Sequence, residues 1–426
     1  MSAVHRVPCP PGTPGEPVTR AQPSLRQLYA ARVAADRGTL TAAARALNRT
    51  QPALSKSLSA LEACLGVPIF DRLPRGLQPT SGGRVLLARI REAETQFALA
   101  ARAHAALAQR PPSAPNPVFS MQVSRSRLEA FLAVHELRDV PKAAARLRTT
   151  RAAVYDSLRA LEGLLGVTLF ESSSAGVRSS AFADVMATHV SLALSLLRHG
   201  QEEILSLDGA IHGRLVIGTL PYSRTILVPR AIDRVSAAHP ALEIGTREGS
   251  YDVLERALRS GTVDLIIGAT RRHPPDAPIR SETLFEDELA VICARRHPLA
   301  AEPNVELAEI LRHGWVLPVR STPARQLFDE FLERHAAAAP RRIVETGSLS
   351  AARGLLLEGD WLALLSVHQV QLDLDAGLLA KLPVRLEGTF RPIGMTLRAH
   401  TTPSPAARAF MDVLRRIART VPACRT

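Results

Sequence analysis

Residues 41–70 read TAAARALNRTQPALSKSLSALEACLGVPIF, and this stretch decides the fold. Two helical segments are joined by a tight turn, and the second is built to lie in a DNA groove. Thr50 can cap that second helix, and Pro52 falls in its first turn, where a missing N–H costs little. Leu54, Leu58, Leu61 and Leu65 recur at helical spacing and form one apolar stripe. Gly66 is placed to end the helix in a left-handed conformation. Opposite the stripe lie Pro52, Ser55, Lys56 and Ser59, with Gln51 at the tip. Short polar donors and acceptors with one cation suit base edges and phosphates in a major groove.

Helix-turn-helix spacing alone also fits a structural hairpin, and the residues that follow separate the two readings. DRLPRGLQPT (71–80) is a short extended hairpin with two arginines, and a long helical run starts at Ser81. The unit is therefore a winged helix-turn-helix feeding a linker helix. It closely resembles the LysR-type transcriptional regulators. The matching residues are Ala43, Ala44, Leu47, Thr50, Gln51, Pro52, Ala53, Leu54 and Ser55, then Leu61, Glu62, Leu65, Gly66, Phe70, Arg72, Arg75 and Gly76. The resemblance implies base readout by Gln51, Pro52 and Ser55. It implies that Thr50, Lys56, Arg72 and Arg75 hold phosphate or the minor groove.

Charge points the same way. The chain has 426 residues and a formal net charge of +13, which suggests a polyanionic partner. Residues 24–110 carry 13 Lys/Arg against 5 Asp/Glu, a net of +8. This length predicts about three domains. Cys9, Cys64, Cys293 and Cys424 are far apart, with no C-x-x-C and no Cys/His cluster. That spacing fits a reducing cytosol and leaves no metal or other cofactor to expect. Residues 1–23 are Pro/Gly-rich without an apolar segment and read as a disordered tail, not an export signal. No run of about 18 apolar residues is apparent, so no membrane span is expected.

Taken in order, residues 24–80 form the winged helix-turn-helix and residues 81–110 its linker helix. Val85, Leu86, Arg89, Ile90, Ala93 and Phe97 recur there at helical spacing. A long helix with one apolar stripe needs a partner, expected to be the same helix of a second subunit. Residues 111–121 are Pro-rich and read as a linker. The chain then repeats itself at an offset of 100. KAAARLRTTRAAVYDSLRALEGLLGVTLF (142–170) overlays residues 42–70 without a gap, with 14 of 29 positions identical.

The comparison separates packing from function. The stripe survives as Val154, Leu158, Leu161 and Leu165, while Gln51, Pro52, Ser55 and Lys56 become Arg151, Ala152, Tyr155 and Asp156. Arg72 and Arg75 correspond to Ser172 and Ala175. Residues 120–180 carry 9 Lys/Arg against 6 Asp/Glu, only +3. Residues 122–180 are thus expected to be a degenerate second winged helix with weak or altered DNA binding. The rival is a true second reader using Arg151, Tyr155 and Arg159. Most LysR-type proteins have one such domain, so the duplication departs from the pattern.

After a second linker helix (181–210), strand and helix alternate through residues 211–420. RLVIG, LEIG and VDLIIG are short β-branched runs separated by helical ones. ELAVICA (288–294) reads as a strand crossing into a second lobe, with returns expected near 382–386 and 393–398. The fold class is therefore multidomain: two all-α winged helix-turn-helix domains with linker helices, then two α/β lobes. Those lobes resemble the effector domain of LysR-type regulators, which shares the type II periplasmic-binding-protein fold. The run from Gly218 to Arg271 looks most like the sugar-responsive galactose-binding-protein regulator subgroup.

In open α/β sheets ligands sit beyond the carboxyl ends of strands. That rule selects Thr219, Tyr222 and Ser223 after the first strand of this region, Gly268 and Ala269 after the third, and Ser321 and Thr322 before a helix. Arg224, Arg271 and Arg320 could take a carboxylate. A sugar or sugar acid is favoured over an aromatic acid. Enzyme readings find no G-x-S-x-G, G-x-G-x-x-G or H-E-x-x-H. The reading is a cytoplasmic transcriptional regulator. Its expected partners are promoter DNA, a small-molecule effector and other copies of itself (homodimer or homotetramer), with room for RNA polymerase. A solute-binding protein or a ligand sensor without productive DNA binding is the alternative.

Overall fold

The computed structural model describes residues 22–107 and 115–420, apart from residues 75, 174 and 175 and the side chains of 172 and 173. The tail read at 1–23 lies outside these residues except for its last two, and Arg75, Ala175, Cys9, Cys424 and the start of the Pro-rich linker lie outside them entirely.

The first unit runs α1 (Leu25–Arg37), α2 (Leu40–Ala46), α3 (Gln51–Leu65), the wing strands β1 (Phe70–Leu73) and β2 (Gly76–Pro79), and α4 (Ser81–Ala105). Local chemistry sets each boundary. Ser24, Thr39, Thr50 and Thr80 each cap a helix by accepting from a backbone N–H. Gly38 and Gly66 close α1 and α3 at φ +70° and +76°. Leu54, Leu58, Leu61 and Leu65 are all buried.

The second unit repeats this at an offset of 100: α5 (Arg125–Leu137), α6 (Val140–Arg146), α7 (Arg151–Leu165), β3 (Phe170–Ser173), β4 (Gly176–Ser179) and α8 (Ala181–Leu205). The tertiary bonds repeat as well. The Glu62 carboxylate accepts from the N–H groups of Ile69 and Phe70, and Glu162 accepts from those of Leu169 and Phe170. Leu77 N–H donates to the Gly38 carbonyl, and Val177 N–H to that of Arg138. Within the stretch read as a Pro-rich linker, Val118 and Met121 are fully buried, so its distal end is part of the core.

The apolar stripe of α4 is filled by α8 of the same chain, not by a second subunit. The helices run antiparallel, each contact stepping down one as it steps up the other. Gly82 lies near Leu207, Arg89 against Gly200, Gln96 against His189, and His104 against Phe182. Gly200 makes the close approach possible, since a Cβ there would stand 3.1 Å from that of Arg89. The stripe was readable, but a stripe states only that a partner exists. The two units and both linker helices share one apolar core. By length and composition α8 could cross a membrane, contrary to the expectation that no segment would qualify. However, much of this helix is buried, against α4 and the lobe that follows.

That lobe holds β5 (Gly213–Thr219), α9 (Leu227–Ala238), β6 (Leu242–Glu248), α10 (Tyr251–Arg259) and β7 (Leu265–Ala269). The long β8 (Ile279–Ala294) crosses to a second lobe of α11 (Leu307–Ile310), β9 (Gly314–Leu317), α12 (Pro323–Arg334), β10 (Arg342–Glu345), α13 (Leu349–Glu358), β11 (Trp361–Ser366), α14 (Gln371–Asp375) and β12 (Leu379–Lys381). β13 (Phe390–Arg398) crosses back, and α15 (Pro405–Ala418) closes the first lobe. The expected return at 382–386 forms no strand; β12, just before it, pairs with β8. Strand order is β10-β9-β11-β8-β13-β7-β5-β6, so β8 and β13 are the paired crossing strands.

α8 is bolted to the first lobe. Ser195 Oγ donates to the Gly261 carbonyl at 3.1 Å. His199 Nε2 lies 3.2 Å from Asp264, and Arg398 donates to the carbonyls of Leu258 and Val263. Burial pushes the Asp264 carboxyl up, but His199, Arg398 and the Val216 N–H outweigh it and hold it below the usual range.

Candidate nucleic-acid interface and effector cleft

The outer face of α3 carries Gln51, Pro52, Lys56 and Ser59 exposed, with Ser55 half-buried between them. Gln51 makes one long contact, 3.4 Å to Thr41 Oγ1, and Arg72 reaches from the wing to Ser59 at 3.4 Å. The surface is thus polar, cationic and thinly bonded internally, so its donors and acceptors remain available to base edges and phosphates. The Thr50 hydroxyl oxygen accepts from the Ala53 N–H, a capping role that leaves its O–H free to donate. The expected phosphate role of Arg75 falls on a residue outside those described. The matching face of α7 exposes Arg151, Ala152, Tyr155, Asp156 and Arg159, with Asp156 3.9 Å from Arg159.

Between the lobes lies a cavity of about 390 Å³, within the usual range for small-molecule sites. Of the residues expected to bind an effector, Tyr222, Ala269, Ser321 and Thr322 line it. Thr219, Ser223 and Gly268 do not. Thr219, the last residue of β5, is buried, and Ser223 Oγ donates to the carbonyls of Leu220 and Ile267. A Cβ on Gly268 would meet that of Leu220 at 2.5 Å, so glycine there serves packing. The strand-end rule selected loops that border this cavity, but it does not say which side chain on a loop turns inward.

Three helix N-termini meet at this cleft, those of α10, α12 and α13, at Ser250, Thr322 and Ser348. Thr322 and Ser348 accept cap bonds, whereas the Ser250 hydroxyl makes none. Their aligned N–H dipoles favour an anion. Arg224 is committed to the Thr219 carbonyl and Glu248. Arg271 lies 4.0 Å over the Tyr251 ring and pairs with Asp252. Arg320 is exposed and outside the cleft.

Sequence reasoning missed Arg391. It stands on β13 directly opposite Asp287 on β8, where the two crossing strands pass between lobes. Its Nε donates to Asp287 Oδ2 at 3.0 Å, and Ser366 Oγ donates to Oδ1 at 2.5 Å. Arg391 Nη2 is buried with no hydrogen-bond partner, and the guanidinium borders both the cleft and the Tyr222 ring, 5.3 Å away. A guanidinium in a cleft wall is suited to a carboxylate. Among the described residues no group of three or more His, Cys, Asp or Glu could hold a metal ion. Cys293 is buried, which pushes its thiol up to about 11.

Comparison with known proteins matches these parts one by one. The family model for the LysR substrate binding domain matches residues 208–419. The model for bacterial regulatory helix-turn-helix proteins of the lysR family matches twice, at 25–84 and 126–183. The HTH-type transcriptional regulator GalR of Pseudomonas putida is 32% identical over 399 residues, covering 93% of this chain and 97% of that protein. The regulator PcaQ of Agrobacterium fabrum is 29% identical over 293 residues, 68% of this chain and 94% of its own. Among solved structures, a full-length OxyR from Pseudomonas aeruginosa superposes with a TM-score of 0.52 at 22% identity, covering 69% of this chain and 94% of its own.

Proposed function

This chain belongs to the LysR family of bacterial transcriptional regulators, and on that premise we propose which residues read DNA and what chemistry the effector brings. Gln51, Pro52 and Ser55 on α3 read base edges. Lys56 and the wing residues Arg72 and Arg75 hold the backbone. The observation that carries this assignment is the polar outer face of α3, left almost unbonded by the rest of the protein. The target is promoter DNA in the cytoplasm, with RNA polymerase as a further partner.

The effector is a small carboxylate, a sugar acid or an aromatic acid, not a neutral sugar. The Arg391 guanidinium and the Ser250 and Ser348 helix ends take its charge, while Leu220, Val316 and Leu364 face its body. Because Arg391 is on a crossing strand, the bound charge sits where the lobes turn against each other, and differential binding to one lobe angle shifts the population.

Footprinting on the upstream region, with wild type beside a Gln51→Ala/Arg72→Ala variant, tests the reader. Loss of the protected tract in the variant is expected, and a tract that persists refutes the assignment to α3.

A further inference from the structure

We propose that a single chain is a complete two-headed DNA reader for an asymmetric operator, with α3 on an information-rich half-site and α7 on an information-poor one. The inference rests on the reading of α3 as the DNA-reading helix.

Its ground is the pairing of α4 with α8. Helix-turn-helix proteins that read two half-sites do so as symmetric dimers, and the palindrome of the operator mirrors the two-fold of the protein. Here the two-fold lies inside one chain. Ala93 and Ala193, equivalent under the repeat, are both fully buried near the middle of the antiparallel pair. Each reader joins its helix in the same way: Thr80 and Ser180 cap α4 and α8, and their N–H groups donate to the carbonyls of Ile69 and Leu169. The surface α4 would offer to a second subunit is occupied. Gly200 admits the Arg89 stem, and Arg89 itself, 2% exposed, is paired with Glu203. Covalent linkage replaces dimerisation, so the second head reaches DNA at the high effective concentration of a short tether.

The two heads differ in chemistry while sharing a frame. On α7 the Gln-Pro and Ser-Lys positions are Arg151-Ala152 and Tyr155-Asp156. Arg151 and Arg159 are exposed there, as is Arg148 in the turn before it, and they suit phosphates. Asp156 repels phosphate where Lys56 would attract it, which keeps this head a weak partner. A covalent dimer of unlike heads has no reason to select a palindrome.

Selection from randomised duplexes, footprinting and light scattering on a minimal duplex test this together. The expected motif has one information-rich block without an inverted repeat. Protection should extend beyond that block on one side only, by about one helical turn, ~10 bp. One duplex should bind per chain, whatever the oligomer. Arg151→Ala/Arg159→Ala should shorten the protected tract on that side and weaken binding less than about tenfold, each lost phosphate contact being a modest loss at physiological salt, without changing the motif. Gln51→Ala should degrade the motif itself.

A palindrome of two equal blocks, needing two chains per minimal duplex, overturns the inference and leaves the α3 assignment standing. So does a second base-specific block that depends on Arg151 and Tyr155. No enriched motif at all overturns the reading of α3 and the inference with it.

Discussion

Arg391 and Asp287 form a buried pair whose dissection separates stability from sensing. Asp287 is 1% and Arg391 8% exposed, joined at 3.0 Å. Arg391→Met alone strands a carboxylate held only by Ser366, and breaking a buried pair from one side costs about 3–5 kcal/mol. Asp287→Asn in the same chain removes the stranded charge, and replacing both partners is close to neutral. The single variant should therefore melt well below wild type and the double variant near it. Binding behaves differently. A hydrogen bond to a charged group contributes about 1.5–3 kcal/mol, so the folded double variant should bind a carboxylate roughly 10- to 150-fold more weakly. The assay is calorimetry with sugar acids and aromatic acids, each beside its primary amide. Wild type should prefer the acid and the double variant should not. If the double variant melts like wild type and still prefers acid over amide, Arg391 is not the anchor and the reasoning fails.

Gln51→Ala should lower specific binding by about 1–3 kcal/mol and relax sequence preference, and unchanged discrimination between operator and random duplex in a competition assay would contradict it. Gly200→Leu forces a side chain onto the Arg89 stem; an overpacking cost of about 1–3 kcal/mol should appear in denaturant unfolding, while an equal change at exposed Gly163 should not. Burial and then Arg259 hold His189, on the α4–α8 interface, below its ordinary value of 6.5. The fold favours the neutral ring, so stability is full above about pH 6.5 and falls as pH drops toward the lowered value; His189→Gln should flatten that part of a melting-temperature profile. Cys293, buried with its thiol raised to about 11, should resist a thiol reagent in the native protein and react on unfolding.

What the sequence made legible is what neighbouring residues decide. The leucine stripe of α3, the Thr50 cap and the Gly66 stop each depend on a few adjacent positions, and the structure has them as read. The same holds for the helical runs between the β-branched segments, which the structure has as α9 and α10. The duplication was legible for another reason: two copies of one pattern are evidence about each other. Comparing them separated the leucine stripe, kept apolar throughout, from the outer face, where Gln51, Pro52, Ser55 and Lys56 were all replaced.

What stayed hidden depends on partners distant in the chain. Arg391 meets Asp287 across 104 residues, and in the run FRPIGMTLR nothing distinguishes that arginine from a solvated one. Only the register of β13 on β8 places it against a buried carboxylate, with one donor left over. The partner of α4 was hidden in the same way. Amphipathicity gives the width of an apolar stripe and says nothing about which chain fills it. The repeat nevertheless held the answer, since a second linker helix at an offset of 100 sits at a far higher effective concentration than any helix on another molecule. An intrachain partner that fits the stripe forecloses the intermolecular one. The same duplication that changed the outer face of the second copy therefore supplied the scaffold on which the first is held.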